Sequence, residues 1–552
     1  MKNKLLTLLL VVTFFALSAP AASAVTGGVV KVGLRYGSSA LFSANLENAV
    51  GSGYEFGYFQ EDRSFTSLGW TEETTISMTA AGTIYMDGGG AYFPSASSGG
   101  SQILGEWHVQ LEGFRSFDEA AGRARSEGGW PAWINREYVV RVGCYGMQGE
   151  AEAAAGRYGG RAVRSSSTGV VVTRTRTADI LFEFDCGGEL ALGVRPSGRD
   201  TSTWFKGYKY GGSFEYPRPN GGNLSVVNVI GLEDYVKGVI PYEMGGEWPL
   251  EALEAQAVCA RTFVQGHSKH LRDSGFDVCN GVDCQVYNGH GSGGASPSET
   301  SDRAVENTAG LCIYYNGTLV QDAVYHSSDG GATEDGGNVW GTETGYLKGK
   351  TDPYEPQTTV PNNHYSVTYT ASELSWILDQ KGHSVGTVQD VYVSEYTPLG
   401  NVKQVTFVGT GGTKTFTGDD CRMIFYSSPY QKSVGSMRFE INGRRSGSGG
   451  LFVNGTGQLS ALDGASVISG SGTIGTLRGS SASAVTSSGT VTVSGEVRQP
   501  TGGENHGGNF VITGTGNGHN VGMSQYGAKA MAELGYSSQE ILNFYYTDIT
   551  IR

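Results

Sequence analysis

One stretch constrains the fold more than any other: VNVIGLEDYVKGVIPYEMGGEWPLEALEAQAVCARTFVQGHSKH, residues 227–270. Asn228, Val229 and Ile230 make a short β-type run. Leu232, Tyr235, Val236 and Val239 then recur at the spacing of one helical face. Pro241 lacks an N–H and restricts the residue before it, so the pattern predicts that this helix stops there. Glu243, Met244, Gly245, Gly246 and Glu247 then read as loop. Pro249 suits the first position of a second helix. Its apolar face is Leu250, Leu253, Ala257, Ala260 and Val264.

Glu243 is the informative residue. A carboxyl between two amphipathic helices sits where a rigid scaffold can hold it at a cleft. With Tyr242, Met244 and Trp248 beside it, partial desolvation would raise its pKa and suit it to general acid work near neutral pH. On spacing alone it reads equally as a loop carboxylate or a helix-cap neighbour.

Six motifs occur in order: YVKGVIPYEM, EALEAQAVCARTF, YHSSDGGATED, NVWG, YLKGKTDPYE and GHNVGMSQYGAKAMAELGYSSQEILNFYYTDITI. Together they resemble the stage II sporulation protein D family, which includes the amidase-enhancer proteins. The resemblance covers roughly residues 28–552 with insertions. It implies a lytic transglycosylase that cuts peptidoglycan glycan strands, stripped of stem peptides, between N-acetylmuramic acid and N-acetylglucosamine. The product carries an anhydro-muramic end, and Glu243 is the catalytic acid. It equally admits a non-catalytic wall-binding protein that stimulates an N-acetylmuramoyl-L-alanine amidase. The partners implied are glycan strands and a cell-wall amidase.

Further residues follow from the same motifs. Gln256 and Arg261 match A-Q-A-x-x-A-R-T and are expected to support the cleft, with a helix-surface or core-edge salt bridge as the alternative for Arg261. His326, Ser327, Ser328 and Gly331 fall in a segment that borders the cleft in the family. No Gly-x-Ser-x-Gly elbow accompanies these serines, which argues against a serine hydrolase. Near the C-terminus, Gly514, Gly516, Gly518 and Gly522 precede a helix but lack the Lys-Ser/Thr of a P-loop. They are expected to bring His519, Ser524 and Gln525 near Glu243.

Lys2 and Lys4, the apolar run Leu5 to Leu17 and the site Ala22-Ser23-Ala24 read as a secretory signal peptide. The expectation is export to the cell wall without a membrane span after cleavage, with an N-terminal anchor as the alternative. The formal net charge of −14 argues against nucleic-acid binding. The 86 glycines and 29 tyrosines suit a β-rich, loop-rich extracellular protein. Seven cysteines leave at least one unpaired within the chain. Cys279 and Cys284 enclose four residues. The resemblance implies that in some relatives this segment carries a structural zinc on two Cys and two His, but Asp283 stands where one of those histidines would be. His267, His270 and His290 are candidate nitrogen ligands, and a disulfide is the alternative. Catalysis itself requires no cofactor on this reading.

The expected fold class is α+β, a β-rich body with a catalytic helix. Residues 1–24 form the signal peptide, 28–100 an N-terminal β-rich part, 178–440 the core and 510–552 its C-terminal part. Residues 106–176 read as strand, helix, two strands, helix, strand: WHVQLEGF, FDEAAGRARSEGG, PAWINR, EYVVRVGCY, GEAEAAAGRYGG and TGVVVTR. This βαββαβ order resembles a sporulation-related repeat (SPOR) domain and implies binding to denuded glycan. Residues 446–509, rich in Ser, Gly and Thr, read as a β-type insertion.

Overall fold

The computed structural model describes residue 25 and residues 28–96, 100–267, 270–292, 297–442 and 509–552, and short strands within 443–508 by their backbone alone. The expected signal peptide at 1–24 lies outside the described residues, as does most of the expected insertion at 446–509. The architecture is α+β, in two compact units: residues 1–201, 212–231 and 264–279, and residues 202–211, 232–263 and 280–552.

Among the described residues the first unit holds two large sheets and a small one of Tyr92–Phe93, Ile84–Met86 and Ser101–Leu104. In one, Val29–Arg35 pairs antiparallel with Val226–Gly231 and parallel with the two-residue strand Val278–Cys279. Ser213–Tyr216, Leu192–Pro196, Tyr54–Phe59 and Phe65–Thr71 extend this sheet from the other side of Val226–Gly231. Gly33 is required here, because a Cβ would sit 2.5 Å from the Phe276 ring. Asp277 is fully buried between these strands. Its carboxylate accepts two guanidinium bonds from Arg63, at 2.5 and 2.6 Å, and the Lys31 N–H at 2.8 Å. Arg63 holds a φ of 67°, a left-handed backbone that a non-glycine residue adopts only when its surroundings impose it.

The second sheet begins Arg161–Arg164, Trp107–Phe114, Glu137–Tyr145, Trp130–Ile134. In chain order these are strands 4-1-3-2, the arrangement of a split βαβ fold. Its helices are Phe117–Glu127 and Gln148–Tyr158. Ser116 caps the first by accepting from the Glu119 N–H, and Gly128 ends it in the left-handed region. Ala120 and Ala124 pack on Val109, Leu111, Val140 and Val142.

The fourth strand of this motif is Arg161–Arg164 rather than TGVVVTR. Only Val163 of those four residues is buried, so no alternation long enough to read marks the strand. Val170–Arg174 is a further strand that joins Ile180–Asp185 to Thr75–Ala80 and makes the sheet continuous with the N-terminal β-structure.

In the second unit a helix runs Leu232–Glu243 straight through Pro241. This corrects the expected stop at Pro241 and places Glu243 in the last helical turn, not in a loop. Proline removes one i→i−4 bond but keeps a helical φ, and the ladder resumes with Met244 N–H to Ile240 C=O at 2.8 Å. The next helix is Leu250–Gly266, with the Pro249 carbonyl accepting from Ala252 and Leu253.

A separate core forms where Leu374, Ile377 and Leu378 pack on the meander Val388–Tyr396, Val402–Gly409, Gly412–Thr417. Phe439–Ile441 and Asn509–Thr515 are antiparallel neighbours, so the chain leaves and re-enters residues 443–508 at one edge. Short antiparallel hairpins such as Ser481–Thr486 with Gly489–Ser494 lie between.

Removing Asp277 would leave the Arg63 guanidinium buried without its counter-charge, and breaking such a pair is strongly destabilising. Asp277→Ala is expected to lower the unfolding free energy of its unit by about 3 kcal/mol or more, read as a fall in the urea midpoint.

Candidate active site

Glu243 ends its helix with a nearly buried carboxyl. Oε1 accepts the Val286 N–H at 2.8 Å, and Oε2 lies 3.5 Å from the Gln525 side-chain nitrogen. The Tyr325 hydroxyl is a third donor. Burial raises the Glu243 pKa above the ordinary glutamate range, and these hydrogen bonds pull back only part of the rise. Among the described residues every donor is neutral, so the carboxyl is desolvated without being paired to a cation.

The Tyr325 proton has a defined direction. The Tyr235 hydroxyl donates to Gln285 Oε1 at 2.8 Å, which fixes that amide. Gln285 Nε2 then donates to the Tyr325 oxygen at 3.1 Å. With its oxygen accepting from Gln285, Tyr325 turns its own proton to Glu243. Burial, and next the Glu243 charge, push the Tyr325 pKa well above that of a free phenol, so the proton stays on oxygen. Sequence reasoning missed Tyr235, Gln285 and Tyr325. Tyr235 read as a helix-face residue, and nothing in the spacing marks the other two.

Gln525 and Tyr325 meet because Tyr325–His326 pairs in parallel with Met523–Ser524. Gly518 permits this approach, since a Cβ there would stand 2.6 Å from the His326 Cβ. Of the three C-terminal residues expected near Glu243, Gln525 is thus in reach. Ser524 instead donates to Glu355 at 2.6 Å and caps the helix Gln525–Glu533. His519 packs between His326 and Trp340, with ring centroids 5.4 and 5.0 Å away.

The other expected residues divide similarly. Gln256 is fully buried with its oxygen 3.5 Å from the Gln525 nitrogen, one step behind Glu243. Arg261 is fully buried. It takes Glu233 in a fork at 2.6 and 2.9 Å and reaches the Leu311 carbonyl at 3.1 Å, the core-edge ion pair. Its donors are spent on tying helix Leu232–Glu243 to helix Leu250–Gly266. His326 is buried with Nδ1 on the Val521 carbonyl, and its pKa falls to about 4, through burial. Ser328 donates to Glu355 at 2.7 Å, the Ser327 carbonyl accepts the Tyr526 N–H, and the Gly331 N–H bonds Asp329 at 2.7 Å.

For the metal expectation, His270 and Cys279 of the first unit bring ligand atoms within 4.8 Å of each other, and so do Asp283 and Cys284 of the second. Nitrogen, thiolate and carboxylate are donor types that fit zinc.

Residues 220–315, which hold Glu243, Gln256 and Arg261, match the family model for stage II sporulation protein. The chain is 31% identical over 341 residues to the amidase enhancer of Bacillus subtilis, a match over 57% of this chain and 40% of that protein. It is 26% identical over 335 residues to stage II sporulation protein D of Bacillus subtilis, over 59% of this chain and 75% of that protein. An uncharacterized protein of Brachyspira hyodysenteriae is 28% identical over 62% of this chain and 73% of its own length. These matches support the stage II sporulation protein D and amidase-enhancer family for this chain. It spans well under half of the amidase enhancer it matches. The part matched by the stage II sporulation protein model contains both helices and the Val286 N–H that holds Glu243.

Arg261→Ala separates a structural role from a role in the cleft. The loss of a buried guanidinium and its carbonyl bonds is expected to lower stability by about 3 kcal/mol. Its Glu243-dependent activity, corrected for the folded fraction in a parallel urea titration, should remain within about threefold of wild type.

Proposed function

We propose that this protein is a peptidoglycan lytic transglycosylase with Glu243 as its single acid and base. The observation that carries the reading is a desolvated carboxyl held by neutral donors, with no carboxylate among the groups bonded to it. Hydrolytic glycosidases ordinarily need two carboxylates, whereas an intramolecular displacement needs one. Protonated Glu243 gives its proton to the bridging oxygen as the bond from muramic C1 breaks. The resulting carboxylate is steadied by the Val286 N–H and the Tyr325 hydroxyl. It then takes the proton of the muramic 6-hydroxyl as that oxygen closes on C1. The leaving sugar keeps the first proton, the anhydro ring forms, and Glu243 ends protonated.

The remaining parts support the same reading. The 4-1-3-2 sheet within 106–176 is proposed to act as a SPOR-like module for denuded glycan. Cys279 and Cys284 are proposed to hold a structural zinc. Export to the wall is proposed from the leader at 1–24. A second reading, a non-catalytic protein that stimulates a wall amidase, is favoured by the name of the 31% identical relative, amidase enhancer.

Mass spectrometry of sacculi digested with purified protein, with and without prior amidase treatment, tests both readings. Anhydro-muramic ends are expected from wild type, preferentially from amidase-treated sacculi, and a loss of at least 1,000-fold in Glu243→Gln. Wild-type protein that pulls down glycan yet releases no anhydro ends would sink the enzymatic reading and leave the amidase-stimulating one.

The pH profile gives an independent check. A general acid works while protonated, so activity is full below the raised Glu243 pKa and falls as pH rises through it. Tyr325→Phe removes a bond that favours the carboxylate. Its alkaline limb should therefore move to higher pH, by about one unit.

A further inference from the structure

A second group of acidic side chains lies behind the turn after Tyr325. Asp329, Asp352 and Glu355 are each buried, and one ligand oxygen from each lies within 4.8 Å of the others. Asp329 ends the SSD turn, and the other two stand in DPYE.

The donors to this group are hydroxyls and backbone N–H groups. Glu355 Oε1 accepts from the Ser328 hydroxyl at 2.7 Å and the Gly330 N–H at 2.9 Å. Its Oε2 accepts from the Asp329 N–H at 2.8 Å and the Ser524 hydroxyl at 2.6 Å. Asp352 Oδ1 takes the Tyr354 and Glu355 N–H groups at 2.7 and 3.1 Å. Its Oδ2 takes the Tyr545 hydroxyl at 2.7 Å and keeps a lone pair. Asp329 Oδ1 takes the Gly331 N–H. Among the described residues no ammonium or guanidinium bonds to any of the three.

Two buried polar atoms beside this group lack a partner. The first is Asp329 Oδ2, on a side chain with no exposed surface. The second is His326 Nε2, three residues earlier and also buried. His326 Nδ1 faces the Val521 carbonyl and must carry the ring proton, so Nε2 presents a bare lone pair. The Asp352 charge acts on this imidazole. A buried acceptor left bare costs its full desolvation. The Asp329 and Asp352 carboxyls also meet within hydrogen-bonding reach with no donor between them, so this group calls for a cation or a shared proton.

We propose that Asp329, Asp352 and Glu355 bind one divalent cation of the hard, oxygen-preferring class, with Asp329 Oδ2 as its open ligand. Calcium is the best match, because it accepts irregular sets of carboxylate oxygens, whereas magnesium demands a near-octahedral set. The cation would tie the Ser328–Gly331 turn to the segment at 352–355. Through Glu355 and Ser524 it would set the strand that presents Gln525, and through Asp329 the strand that presents Tyr325. It is a positioning element for the partners of Glu243 and does not depend on which reaction Glu243 performs.

The test uses the full purified chain, stripped with EDTA, exchanged into chelator-free buffer and titrated with calcium chloride. Bound calcium is counted by atomic emission and the melting temperature is followed alongside. Wild type is expected to bind at this site with a rise of several degrees in melting temperature, and Asp329→Asn to bind at least tenfold more weakly. Equal calcium binding in wild type and Asp329→Asn would put the ion elsewhere and overturn the proposal. No response in wild type would also overturn it. In that case a melting temperature of Asp329→Asn equal to or above wild type would point to a proton shared by Asp329 and Asp352, because an asparagine amide can donate where a protonated acid does. Should Asp329→Asn fail to fold, the wild-type titration still decides whether calcium binds, and Glu355→Gln supplies the comparison at the site.

Discussion

The surroundings of Glu243 depend on two residues of parallel pairing, Tyr325 with Met523 and His326 with Ser524. Without that contact Tyr325 and Gln525 belong to remote parts of the chain, and the carboxyl at the end of helix Leu232–Glu243 would face solvent on that side. With it, the carboxyl is enclosed. The pairing is short, and two backbone bridges alone do not hold two segments together. Glu355 supplies the rest by gathering Ser328, Asp329, Gly330 and Ser524 onto one carboxylate. The same side chain thus ties the turn after Tyr325 to the residue before Gln525. Glycines between the strands Asn509–Thr515 and Met523–Ser524 make the approach possible. Gly516 and Gly518 hold positive φ, and a Cβ at either would collide with Ser328–Asp329 or His326.

Much of this was legible in the sequence, and what was not has a physical cause. The helices Phe117–Glu127 and Gln148–Tyr158 carry alanine on their inner faces, and each ends in glycine, so they could be read directly. Helix Leu250–Gly266 announced itself by its apolar period. Pro241 misled because a proline in the last turn costs one hydrogen bond and leaves the helical φ intact. Arg161–Arg164 was missed because an edge strand with one buried side chain shows no alternation. Glu243 was found through its motif, but Tyr235, Gln285 and Tyr325 were not. Their roles come from which hydroxyl gives its proton to which oxygen, and no spacing rule encodes that.

Arg261 shows how motif membership and function separate. It matches the same pattern as Gln256, five residues away on one helix. Gln256 lies one contact behind Glu243, while Arg261 turns to Glu233 and three backbone carbonyls. A guanidinium with no exposed surface and its donors satisfied within the protein has nothing left to offer a polymer in an open groove. It fixes the two helices to each other. The position demands arginine because lysine, with a single ammonium, cannot form the fork to Glu233 while reaching Leu311.

The proton inventory around Glu243 narrows the chemistry that can run there. Tyr325 keeps its proton, because burial and the neighbouring carboxylate both raise its pKa. His326 has a pKa near 4, and its Nδ1 proton is committed to the Val521 carbonyl, so it is neutral in the range where a glucosidic acid works. His519 is also driven well below the ordinary imidazole range, by burial and then by the charge His326 would carry. Gln256, Gln285 and Gln525 do not titrate. Of these groups Glu243 is the one carboxyl, and burial raises its pKa above the ordinary glutamate range. A site with one carboxyl favours a reaction in which the same group gives a proton and takes one back, with the substrate supplying its own nucleophile. Desolvation also makes each half easier: it holds the proton on the acid before bond breaking, and it makes the carboxylate a stronger base once the proton has left.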